Sequence, residues 1–379
     1  MLEKVRFKNF KSFVKETVID LTPSRIEYLS DTNVYDGTLK GVAFYGSNAS
    51  GKTTALLAVT MLLDLLFKNG PIINADTFSR FSSEKKMWFE YTFRFDDDEI
   101  LYSFEADRVK GFTKEQLSLN GKTLLDRNLT SAKSYVTENE DYDEIDPGYL
   151  FIRSIYFNTR FAGFPALAKW FAFLKNSIYY NPVRSYAQLV AFDNKAAEDI
   201  FLEPYLAKHG TEEINAFLRE YGLPFTIEYS SGGPMDALTP FQMRLQAVRE
   251  GMAPIPFQLE SMGSQILLGF LPAFLTVVKQ GGILAIDEFS SEFHNDLEEL
   301  LVSYFFRHTS RSQLIFVSHS TNILKTSLLR PDQVYAVDFD KDGSYLCKFS
   351  ERGMREAQNM EKMYLSGAFG GIPLYEGKD

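Results

Sequence analysis

The stretch Gly41-Val42-Ala43-Phe44-Tyr45-Gly46-Ser47-Asn48-Ala49-Ser50-Gly51-Lys52-Thr53-Thr54 decides the fold. Its first five residues are an apolar run that reads as a buried strand. Beyond the glycines, Thr53 to Lys68 carries Leu56, Leu57, Val59, Met61, Leu62, Leu65 and Leu66 at helical spacing. The order is therefore strand, glycine loop, helix, the setting that gives Gly46-x-x-x-x-Gly51-Lys52-Thr53 its meaning as a phosphate loop. Glycines let successive backbone N–H groups curl around phosphate oxygens, and the helix N-terminus adds its dipole. Gly46, Ser47, Asn48, Ala49, Ser50, Gly51 and Thr54 would line the cradle. Lys52 would reach the β- and γ-phosphates, and the Thr53 hydroxyl would ligate Mg²⁺.

Farther along, Gly282-Ile283-Leu284-Ala285-Ile286-Asp287-Glu288 is an apolar strand whose end presents adjacent carboxylates, the edge at which open α/β sheets place functional groups. Asp287 would hold Mg²⁺ through water, and Glu288 would act as general base on the attacking water. The last third alternates: helix Gln265 to Val278, strand Ile283 to Ile286, helix Leu297 to Phe306, strand Gln313 to Val317, helix Thr321 to Leu328. That pattern implies a parallel sheet. Lys52 and Asp287 are 235 residues apart, so a large insertion separates the two halves of the site.

Bulk properties narrow the class. The chain has 379 residues, 45% hydrophobic and 15% aromatic, enough for a real core. A net charge of −10 disfavours a broad basic surface for nucleic acid. The single cysteine, Cys347, excludes an internal disulfide, and a cytoplasmic setting is expected. The most apolar run, Ile266 to Val278, contains Pro272 and is too short to cross roughly 30 Å of hydrocarbon; it reads as a buried helix. No membrane association is expected.

Leu2 to Leu21 reads as a strand pair, and Trp88 to Phe95 with Ile100 to Phe104 reads as a hairpin around an acidic, solvated turn. The expected division is an N-terminal lobe over 1–130 with the phosphate loop and an antiparallel sheet, a mostly helical insertion over 131–222, and a C-terminal lobe over 223–379. Within 223–379, strand-like runs are expected at Phe225 to Tyr229, Phe241 to Val248 and Ile255 to Leu259. No heptad repeat is sustained, so a coiled-coil arm is not expected.

Two further motifs, Leu259-Glu260-Ser261-Met262-Gly263-Ser264-Gln265 and Val317-Ser318-His319-Ser320, complete an ordered set. Together with the wide spacing, it resembles the ABC ATPases of the RecF/SMC/OLD group. The resemblance implies an ABC-type P-loop NTPase fold, mixed and parallel sheets flanked by helices with an inserted helical region, hydrolysing ATP with Mg²⁺. It makes the first motif the signature, with Ser261 and Gly263 touching the γ-phosphate held by a second copy in an ATP-sandwich homodimer. It makes His319 the switch histidine. Met262 and Ser264 depart from the transporter-type signature. The glutamine of the segment joining the lobes has two candidates, Gln116 and Gln188. His209 and His308 read as surface or packing residues.

The closing Asn359-Met360-Glu361-Lys362-Met363-Tyr364-Leu365-Ser366-Gly367-Ala368-Phe369-Gly370-Gly371-Ile372-Pro373 is similar to the end of OLD-like defence ATPases of the RloA, AbiLii and PARIS AriA types. It reads either as a glycine-rich turn packed on the core or as a partner-docking tail. OLD nucleases carry a Toprim domain after the ATPase; only 329–379 follows here, so no nuclease is expected within the chain. The resemblance thus implies the sensor of an antiphage, abortive-infection system, controlling a separate effector such as a Toprim-type nuclease and triggered by a phage protein. The alternatives are a DNA-repair or chromosome-maintenance ATPase that clamps DNA, and a non-hydrolysing scaffold.

Overall fold

The computed structural model describes residues 1–70, 72–137, 141–161, 163–182, 190–192, 199–230, 241–291, 293–352 and 358–372. Two large sheets organise them. In the first, seven strands run in the order Val190–Ala191, Ile178–Tyr180, Gly282–Ile286, Ser312–Val317, Gly41–Tyr45, Val334–Asp340, Gly343–Lys348. The five inner strands are parallel, and each end strand is antiparallel to its neighbour. Gly41–Tyr45, Gly282–Ile286 and Ser312–Val317 are buried at every residue, as their unbroken apolar runs require of parallel strands covered on both faces.

The period of two sorts these strands between two cores. Val42, Phe44, Ile283, Ala285, Ile315 and Val317 face a core shared with helix Lys52–Phe67 and the second sheet. Ala43, Tyr45, Leu284, Ile286, Leu314 and Phe316 face a core shared with helices Met262–Gln280 and Asn295–His308. The helix Met262–Gln280 is long and apolar enough to cross a membrane by length and composition, but eleven of its residues, Pro272 among them, are buried in this second core. It is longer at both ends than the sequence reading, because Ser261 caps it and the glycines after Gln280 end it.

The second sheet has eight strands, in the order Asp141–Tyr142, Ser131–Ser134, Lys122–Asn128, Gly111–Leu119, Asp98–Asp107, Lys86–Phe95, Leu2–Lys8, Thr17–Asp20, all antiparallel. Strand Lys86–Phe95 alternates buried and half-buried residues, and its hairpin closes at Asp96-Asp97, with Asp96 in the left-handed region at φ 56°.

Several expectations need revision. Among its described residues the stretch 131–222 contributes four helices, but Ser131–Ser134 and Asp141–Tyr142 extend the antiparallel sheet, and Ile178–Tyr180 joins the central one. Thr321 to Leu328 is not a helix. A 3₁₀ turn at Thr321–Ile323 is followed by single turns, because Ile323, Leu324, Leu328 and Leu329 are buried one turn at a time. Phe241 to Val248 divides into a helical turn, Phe241–Arg244, and a strand, Leu245–Val248. That strand pairs with Thr226–Tyr229 and Ile255–Pro256 in a small sheet just before the signature.

Candidate nucleotide site

Strand Gly41–Tyr45 delivers the chain into the loop at the carboxyl edge of the central sheet, and Gly51 at φ 112° turns it into helix Lys52–Phe67. Two glycines are required by space. A Cβ on Gly46 would stand 2.3 Å from the Val337 carbonyl oxygen, and one on Gly51 would stand 2.4 Å from Ser344 Oγ. Ala49 between them is also left-handed, at φ 64°. The loop is thus wrapped tightly against the edge hairpin, where the Ser344 hydroxyl donates to Ser50 O at 2.6 Å.

Lys52 folds back over this loop, donating to Gly46 O at 3.0 Å and Ser47 O at 2.8 Å. Those bonds use two of its three donors and preset the ammonium at the loop. Burial pushes its pKa below the ordinary value, and the nearby carboxylates of Glu288 and Asp287 act in the opposite direction. Thr53 Oγ1 donates to Asp287 Oδ1 at 3.0 Å, closing the 234-residue gap between the two halves of the site. Both are hard oxygen donors, so the pair fits a Mg²⁺ ion carried in by a nucleotide phosphate.

Asp287 is buried and held from three sides. Its backbone N–H donates to Tyr180 O at 2.9 Å, and its Oδ2 accepts from Tyr179 Oη and Asn181 Nδ2, each at 3.2 Å. The next residue, Glu288, sits at φ 58°, a conformation that L side chains adopt at a cost on the order of 1 kcal/mol. That turn leaves its carboxylate 3.6 Å from His319 Nε2, with Ser291 Oγ at 3.4 Å. His319 is fixed through its backbone, whose N–H donates to Ser290 Oγ at 2.9 Å. Burial lowers the imidazole pKa first, the Lys52 charge lowers it further, and Glu288 and Asp287 oppose both. The neutral ring is favoured near pH 7.

Ser12, Asn48, Ala49, Gly51, Lys52, Thr53, Thr54, Glu288, Ser291 and His319 line one open cleft of about 790 Å³. The loop, both acidic residues and the histidine thus meet from three strands of one sheet edge. Ser261 and Gly263 do not join them. They lie exposed at the start of helix Met262–Gln280, where Ser261 Oγ accepts from Ser264 N at 3.2 Å, beside a different groove lined by Arg249, Met252, Leu259 and Glu260. Gln116 faces Ser103 and Asp126 within the antiparallel sheet and lies outside the cleft; Gln188 lies outside the described residues.

Tyr179 and Asn181 were not anticipated. Their only signal is the short apolar run Ile178-Tyr179-Tyr180 stopped by Asn181-Pro182, a weak strand mark. His308 stacks on Tyr304 at 4.0 Å, and His209 lies tilted against Tyr205 at 4.8 Å; neither lines the cleft.

Residues 42–325 match the family described as "AAA domain, putative AbiEii toxin, Type IV TA system". Among solved structures, the chain is similar to the SMC head domain from Thermotoga maritima, at 15% identity over 92% of this chain and 98% of that one, with a TM-score of 0.52. It is similar also to an SMC head bound to the C-winged helix domain of ScpA, at 16% identity over 91% and 96%, with a TM-score of 0.52. No curated protein sequence matches it. At such identities the likeness is one of fold. The chain belongs to this AAA-domain family and has the ABC-type P-loop ATPase fold of an SMC head.

Proposed function

We propose that this chain binds ATP with Mg²⁺ and hydrolyses it, and that the cycle controls a separate effector in a bacterial antiphage system. The observation that carries the ATPase reading is the convergence of Lys52, Thr53, Asp287, Glu288 and His319 on one cleft from segments far apart in sequence. Lys52 releases its loop carbonyls to take phosphate oxygens. Thr53 and Asp287 would hold the ion, which when bound would neutralise charge on the phosphates. Glu288 accepts a proton from the attacking water, and the neutral His319 beside it donates toward the γ-phosphate.

Ser261 and Gly263 reach a γ-phosphate only from a second copy. Their exposure at a helix N-terminus, outside their own chain's cleft, supports the sandwich homodimer. The family description, with its reference to a toxin and a Type IV TA system, supports a defence setting. In that setting the effector, of Toprim-nuclease type, and the phage trigger are other proteins.

Expression of wild type and Lys52→Ala beside the neighbouring gene product, with affinity capture and phage challenge, tests the reading. Phage protection and ATP-dependent capture of a partner, both lost in Lys52→Ala, are expected. Protection that survives Lys52→Ala, or salt-sensitive DNA binding without any protein partner, would contradict the effector role.

A further inference from the structure

Residues 358–372 carry no reacting group, yet they touch both loops that do. Asn359 caps the short helix Met360–Leu365, its side chain accepting from Lys362 N at 2.9 Å. From that helix Glu361 Oε1 accepts from Thr321 Oγ1 at 2.7 Å, and Thr321 is two residues beyond His319. The Tyr364 ring lies edge-on against Tyr45, centroids 5.8 Å apart, and Tyr45 immediately precedes Gly46. Its hydroxyl donates to Gly371 O at 3.2 Å, and Gly371 N–H donates to Asp338 Oδ2 at 2.9 Å. The segment is anchored by Phe369, stacked on Phe349 at 3.8 Å and 9°.

The two closing glycines are the informative part. Gly370 and Gly371 have φ of +76° and +74°, and a Cβ on Gly371 would stand 3.2 Å from Val337 O and 3.3 Å from Gly46 Cα. The Val337 carbonyl is the same atom that forbids a side chain on Gly46, at 2.3 Å. Gly46 and Gly371 therefore lie against one carbonyl, and a methyl group on Gly371 must displace the segment or the phosphate loop. Packing alone would be met by the Phe349–Phe369 stack. It does not require glycine backbone against Gly46, nor a carboxylate on the loop that carries His319.

We propose that residues 358–372 position the ATPase site: Gly371 sets the phosphate loop at Gly46, and Glu361 sets His319 through Thr321. The proposal rests on the ATPase reading, and its two arms are read separately. Backbone N–H groups around a phosphate lose affinity when displaced by a few tenths of an ångström, so the Gly371 arm acts on binding. The histidine acts on charge that develops only during transfer, so the Glu361 arm acts on turnover.

The experiment measures equilibrium affinity for a fluorescent ATP analogue, kcat and KM on full-length Gly371→Ala, Tyr364→Phe, Thr321→Val, Thr321→Ser and Glu361→Ala, with circular dichroism on each. Gly371→Ala is expected to bind the analogue about tenfold more weakly, and Tyr364→Phe, which removes only the hydroxyl on Gly371 O, to shift affinity the same way by less. Thr321→Val and Glu361→Ala are expected to lose about tenfold in kcat with KM within about twofold, and Thr321→Ser to recover it. Wild-type affinity in folded Gly371→Ala, or in Tyr364→Phe should the first not fold, overturns the phosphate-loop arm whether or not turnover is seen. Unchanged kcat in Thr321→Val, or equal loss in Thr321→Ser, overturns the histidine arm. Absence of turnover in the wild type would instead count against the ATPase reading and leave the binding arm to stand or fall by itself.

Discussion

Glu298, on helix Asn295–His308, is fully buried, and its carboxylate forms no ion pair among the described residues. Burial raises its pKa from 4.5 to about 7, a hydrogen bond from Ser320 acting in the opposite direction. Replacing it by glutamine keeps the shape and removes the ionisation. The sign follows from linkage: the folded carboxyl holds its proton more tightly than the unfolded one, so stability is full below about pH 4.5 and falls as pH rises toward 7. A shift of that size corresponds to about 3 kcal/mol once the group is ionised in both states, and to less than about 1 kcal/mol at pH 5. Urea denaturation of wild type and Glu298→Gln at pH 5 and pH 8 should therefore show the variant gaining about 2 kcal/mol relative to wild type between the two. A difference that is constant with pH, or that shrinks at pH 8, would refute the assignment of a buried acid with no cation beside it.

Two other outcomes follow from the same geometry. NMR titration of His319 should give a midpoint below 6.5, moving up in Lys52→Ala, which removes a depressing charge, and further down in Glu288→Gln, which removes an opposing one; the reverse order would contradict the site electrostatics. Arg153 donates to Leu65 O, Leu66 O and Lys68 O at the end of helix Lys52–Phe67, so Arg153→Ala should destabilise the fold by about 1–2 kcal/mol and speed hydrogen exchange in that last turn, with no such change expected if the contacts carry nothing.

The parts of this molecule that the sequence revealed are those whose causes are local. The phosphate loop was legible because strand, glycine loop and helix are contiguous, and Asp287-Glu288 because an apolar run ends there. Tyr179 and Asn181 were not, since they reach Asp287 only through the parallel pairing of Tyr180 with Ile286, which leaves no periodicity in a three-residue strand. The expected helix at Thr321 to Leu328 failed because Ile323, Leu324 and Leu328 are buried one turn at a time against the surrounding fold, a constraint the sequence does not display. The close approach of Gly371 to Gly46 is likewise invisible without the fold, although the closing segment was read as a glycine-rich turn packed on the core or a docking tail.

The most direct test is ATP turnover and assembly mass for wild type and Glu288→Gln at equal ATP. General bases contribute about 10²–10⁴-fold, so the variant should bind ATP as the wild type does, lose at least about 100-fold in turnover, and accumulate as an ATP-dependent dimer that Ser261→Arg abolishes. Equal turnover in the two proteins, or a Glu288→Gln species that stays monomeric with ATP bound, would contradict the account.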